Sequence, residues 1–166
     1  MSNEIAIYTE PQGVSLVDIR MDAGRFPRIK ALSLQQATAR LQQVVAMAFV
    51  YTGRPAEEAK IQMVAAALYN ELLTDKKGLG LANITVEEIA HAVKDAILTA
   101  KEDVYINIAF LYKAICAYAV GEGHDAQETA YARKVAAKQK ALAATPAGAM
   151  LTAYTGALLK HSSLKK

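Results

Sequence analysis

Along most of the chain, apolar residues return every three or four positions, the spacing of one face of an α-helix. Ser33 is placed to cap a helix over Leu34 to about Tyr51, with Leu34, Ala37, Leu41, Val44, Val45, Ala48 and Phe49 facing inward. Thr52-Gly53-Arg54-Pro55 reads as a turn. Pro55 suits the first position of a second helix, running to about Leu73 with Ile61, Val64, Ala65, Leu68, Leu72 and Leu73 apolar. Lys76-Lys77-Gly78-Leu79-Gly80 connects this helix to a central pair.

The first of the pair opens on Thr85 and Glu88, a capping box in which hydroxyl and carboxylate each satisfy the other residue's backbone N–H. Ile89, Val93, Ala96, Ile97 and Ala100 form its apolar stripe. After a polar break at Lys101-Glu102-Asp103, the second carries Ile108, Leu111, Tyr112, Ile115, Tyr118 and Ala119. Gly121 and Gly123 are expected to end it as left-handed caps. Asp125 then caps a last, alanine-rich helix through about Ala144, and Pro146 and Gly148 interrupt it before a short terminal helix.

The first thirty residues lack this rhythm. Breakers at Pro11-Gln12-Gly13, Gly24 and Pro27 predict an extended arm, with a short strand around Ile5–Tyr8 or Val14–Ile19. The expected architecture is all-α: an N-terminal arm (1–30), a single bundle of about five helices (31–144) and a basic, small-residue tail (145–166).

Composition supports this picture. Alanine is abundant, tryptophan is absent and aromatic residues make up 7% of the chain, too few for a sheet protein. The formal net charge of +3 decides little, but its distribution does more. Acids prevail between Ala56 and Asp103, whereas after Glu128 there is no acid at all. Arg133, Lys134, Lys138, Lys140, Lys160, Lys165 and Lys166 follow it. Such a one-sign stretch supplies sequence-independent contacts to nucleic-acid phosphates, or else a solvated terminus. Cys116 is the only cysteine, which excludes an intrachain disulfide and suits a reducing cytoplasm. The N-terminus does not have the layout of a secretory signal. Ala141–Leu159 is uncharged and approaches the ~20 residues of a membrane helix. Its glycines, proline and threonines make it a poor span, so no membrane partner is expected.

Catalytic and metal chemistry find little footing. Glu88 and His91 have the Glu-x-x-His spacing that sets two ligands on one helix face, but a di-iron bundle needs a second copy and two more carboxylates. His91, His124 and His161 with one cysteine make no zinc pattern. Gly78-Leu79-Gly80 lacks the lysine and hydroxyl of a phosphate loop. Cys116 beside an apolar stripe reads as a buried, inert thiol. Tyr105, Tyr112 and Tyr118 near Lys113 could present a helix to DNA, yet the polar residues there are too few to read base edges. No enzyme and no cofactor are expected.

The segment from Ile84 to Tyr118 resembles a pattern of small replication-associated proteins of phages and prophages. A Thr-x-Glu-Glu helix start, an Ala/Lys-rich helix, a turn and a second helix ending in a spaced tyrosine follow one another there. Thr85, Glu87, Glu88, Ala92, Lys94, Leu111, Tyr112, Lys113, Ile115 and Tyr118 occupy the matching positions. Ala67–Leu73 looks like the helix preceding this unit in helicase-loader-like proteins. The resemblance implies a non-enzymatic interaction protein, with a protein partner such as a replicative helicase, and carries no catalytic residues. A nucleic-acid-binding helical module and a structural homo-oligomer are the alternatives. Candidate contacts for DNA or a partner are Tyr112 and Lys113 together with the seven cations after Glu128.

Overall fold

The computed structural model describes residues 6–146 and Met150, and the described residues form six α-helices and two 3₁₀ turns. The all-α expectation holds. None of the described helices is long and apolar enough to cross a membrane. Two compact units divide the chain, Met1–Gln127 and Glu128–Lys166.

The first unit is built on four helices, α2 (Leu34–Tyr51), α3 (Glu58–Thr74), α4 (Val86–Leu98) and α5 (Ile108–Val120). Both α3 and α4 pack on α2, and α5 packs on the same two from the opposite side. Ser33 and Thr85 cap α2 and α4, each in a complete capping box whose third residue returns the bond, Gln36 in one and Glu88 in the other. Leu41, Leu68, Leu72, Ile89, Leu111 and Ile115 are fully buried between the four helices. Each such side chain contributes about 1.5–3 kcal/mol by leaving water.

Several details depart from the periodic reading. Leu34 and Leu73, expected inside, are exposed; Leu34 opens α2, and Leu73 lies on the outer face of the α3 turn whose Leu72 is buried. Pro55 does not begin α3; it remains in the connection, and Glu57 is the N-cap. The following loop is organised by Asp75, which takes a left-handed conformation (φ 40°) and closes α3. Its carboxylate accepts from the backbone N–H groups of Leu79, Gly80 and Leu81 at 3.0, 2.7 and 3.2 Å. Gly78 and Gly80, both at positive φ, let the chain turn back within that reach.

The arm also differs from expectation. Where a strand was expected at Val14–Ile19, the chain forms α1 (Leu16–Met21) behind a Ser15–Asp18 capping box. No strand occurs among the described residues, and the one β-like contact is an isolated bridge between Arg28 and Thr85. Of the other proposed strand, Tyr8 only donates its N–H to the Gln43 carbonyl, and Ile5 lies outside the described residues. The arm is nevertheless fastened. Lys94 donates to Glu10 at 2.8 Å, Ile29 N–H donates to the Ile84 carbonyl, and Phe26 and Ile29 are buried.

The glycines after α5 act otherwise than as left-handed caps. Gly121 closes the helix at negative φ (−96°), and Gly123 is already the second residue of α6 (Glu122–Ala143). That last helix therefore starts three residues before the expected cap at Asp125. Residues from Glu128 onward belong to the second unit, where the described part of α6 is exposed or half-buried except for Ala130. Alanine, lysine, glutamine and arginine dominate it, the residues with the best intrinsic helix propensity. Glu122 and Asp125 near its start and Lys140 near its end also suit the helix dipole. The short terminal helix expected after Pro146 lies outside the described residues.

Candidate functional site

Arg133, Lys134, Lys138 and Lys140 are all exposed on α6 in the second unit. At about 3.6 residues per turn, Lys134 and Lys138 lie on one flank and Arg133 and Lys140 on another, with exposed Ala137 and Ala141 between them. Two cationic edges thus border a smooth strip of methyl groups, against which a phosphate chain can approach closely. Lys160, Lys165 and Lys166 lie outside the described residues.

Tyr112 and Lys113 are placed differently, on α5 in the first unit. Lys113 is exposed. Tyr112 packs half-buried against the core cluster, with the Lys77 ammonium 5.8 Å from its ring centroid. Burial and the neighbouring Cys116 thiol raise the pKa of its phenol. The ring is thus engaged by its own fold.

A polar cluster inside the first unit was missed by sequence reasoning. Glu88 is fully buried, and one of its carboxylate oxygens accepts from both Arg20 Nε and Tyr118 Oη, the latter at 2.8 Å. The other oxygen accepts from the Thr85 N–H at 2.9 Å. Arg20, 5% exposed, turns Nη1 to Gln127 Oε1 at 3.1 Å. One carboxylate therefore fastens α1, α4 and α5 together, and Arg20 extends the link to the start of α6. Nearby, His91 Nε2 and Glu122 Oε2 lie 2.8 Å apart, and the His91 ring meets Tyr118 edge to face, centroids 6.0 Å apart. Glu88 and His91 do not converge as ligands, since Glu88 is committed to the cluster and His91 to Glu122. Among the described residues no group of three or more His, Cys, Asp and Glu side chains could hold a metal ion.

The cluster carries a pH dependence. Burial and then the Glu88 carboxylate push the Tyr118 phenol well above its ordinary value of about 10. Burial, followed by Glu87 and Glu10, raises Tyr8 likewise. A raised phenol binds its proton more tightly in the fold, so its stabilisation is complete below about pH 10 and is lost as the pH climbs toward the raised value. For Tyr118 the loss should reach at most ~1.4 kcal/mol per pH unit, less to the extent that solvent screens the group. Urea midpoints measured through this range should fall less steeply in Tyr118→Phe than in the unsubstituted chain. Equal slopes would clear the Tyr118 phenol of any part in alkaline unfolding.

At one end of the four helices, the α2–α3 and α4–α5 connections meet. The Arg54 guanidinium and Lys60 ammonium stand 5.7 and 5.3 Å from the ring centroid of exposed Tyr105, and Arg54 reaches Asp103 at 3.9 Å. Glu57, Glu58 and Glu102 are also exposed on these segments, so the patch carries both signs of charge and favours no polyanion. No family model matches the chain, and neither does any curated protein or solved structure.

Proposed function

We propose that this chain is a non-enzymatic interaction protein that binds nucleic acid through the cationic flanks of α6. In this reading it works in the cytoplasm as a replication accessory factor of a phage or mobile element. The observation that carries the binding is the exposed set Arg133, Lys134, Lys138 and Lys140 on a stretch with no acid after Glu128. Phosphate contacts need only exposed cations and close approach, and both are available there. The four-helix body holds the fold and offers the surface for a protein partner. A replicative helicase is the partner implied by the loader-like pattern of residues 60–120.

Titrating labelled DNA at a series of salt concentrations tests the reading. Four phosphate contacts give a slope of log affinity on log salt of roughly −3.6 for duplex DNA. Affinity should therefore fall about a hundredfold between roughly 50 and 200 mM salt. A variant with all four cations changed to glutamine should flatten the slope and keep its helix content by circular dichroism. Affinity indifferent to salt, or unchanged in that variant, would remove the proposal. Retention of a replicative helicase from nuclease-treated host lysate would support the accessory role.

A further inference from the structure

One residue on α6 is chemically out of place on a solvated basic helix. Tyr131 is 71% exposed, and Lys134 and Lys138 follow it by three and seven residues. That spacing puts the phenol and the two ammonium groups on the same side of the helix. Exposed Leu142 continues the line one turn beyond Lys138. An aromatic ring left in water among cations gains little from its own fold, but it is what an unpaired base can stack on.

Resting on the nucleic-acid reading above, we propose that the ligand of α6 is single-stranded, with a base stacked on Tyr131 and neighbouring phosphates on Lys134 and Lys138. Proteins that hold single strands combine a cationic track for the backbone with aromatic platforms for the bases, and neither part alone makes the distinction. Duplex DNA can satisfy the lysines but keeps its bases stacked on each other, so it leaves the ring unused. Charge complementarity favours a polyanion of either form, since every charged residue after Glu128 is basic, and the exposed ring is what selects the single strand. Arg133 and Lys140, on the other flank, add phosphate contacts open to either form of nucleic acid.

Fluorescence anisotropy on the full chain, with a labelled oligo-dT and a duplex of equal length, tests this. At equal salt the oligo-dT should bind more tightly than the duplex. Tyr131→Ala should weaken oligo-dT binding about tenfold to a hundredfold and leave duplex binding nearly unchanged. Tyr131→Phe keeps the π-face and should bind the oligo-dT like the unsubstituted chain. Equal oligo-dT affinity in Tyr131→Ala, or equal losses on both nucleic acids, would overturn the single-strand assignment and leave the phosphate reading standing. A chain that binds neither nucleic acid overturns both. Flotation with phosphatidylglycerol-containing vesicles, lost in Tyr131→Ala and joined to weak oligo-dT binding, would assign the strip to a lipid surface and overturn the proposal.

Discussion

Replacing Glu88 with alanine should lower stability by about 3–5 kcal/mol, the cost of breaking a buried ion pair from one side. Three donors lose their acceptor at once: the Arg20 guanidinium, the Tyr118 hydroxyl and the Thr85 N–H. Arg20 fares worst, because it is 5% exposed and, of Glu88 and Gln127, would keep only the Gln127 side-chain oxygen. An uncompensated buried charge costs more than the pair contributed while intact. Glu88→Gln removes the charge and keeps the shape, since its one amide oxygen can still close the capping box with Thr85 while its NH2 group donates to the Tyr118 hydroxyl oxygen. It should also destabilise, and adding Arg20→Met should recover part of the loss, because no charge then remains buried. Recovery by a second substitution distinguishes a buried pair from two independent contacts. Urea midpoints for the four chains, at unchanged m-values, provide the measurement. Single substitutions costing under about 0.5 kcal/mol would mean that the pair behaves as an exposed one.

The cluster around Glu88 also marks how far the sequence alone reaches. Helices α2 and α4 were legible almost to the residue, because Ser33 and Thr85 begin them chemically and long apolar stripes continue them. Glu88 was read correctly as the partner of Thr85, and that local role concealed its second one. Arg20 lies 68 residues away from it, and no periodicity joins positions so far apart. Helix α1, with six residues, is too short to show a helical rhythm, and its Ser15–Asp18 cap sits in a segment whose breakers favour an extended chain. Pro55 illustrates a related ambiguity, since a proline suits a first helical turn and the turn before it equally well. The cations of α6 were legible from composition because exposure, not packing, decides where they lie. The position of Tyr131 relative to Lys134 and Lys138 was open to the same arithmetic, but its exposure depends on the fold.

Gly123→Ala should destabilise the first unit by about 1–3 kcal/mol or somewhat more, although helix propensity alone predicts the reverse. In an unconstrained helix interior the exchange gains up to about 1 kcal/mol, since alanine loses less conformational freedom. Here the added methyl carbon would stand 2.8 Å from Tyr118 Cε1, 2.9 Å from the Tyr118 carbonyl oxygen and 3.1 Å from Cδ1. The carbonyl belongs to the last turn of α5 and cannot swing aside without unwinding that turn. Nor is the ring free to yield, because its hydroxyl is bonded to buried Glu88 and the ring makes a T-shaped contact with His91. Relief must come from the α5–α6 joint or from the Tyr118–Glu88 bond, so the loss adds to the steric term. The close approach is the reason for glycine at this position, where backbone flexibility had suggested a left-handed cap. Urea unfolding followed by circular dichroism checks the magnitude, and the near-ultraviolet tyrosine signal should change with it as Tyr118 is displaced. A variant more stable than the unsubstituted chain, with that signal intact, would show that α6 leaves α5 with room to spare and that Gly123 is there for some other reason.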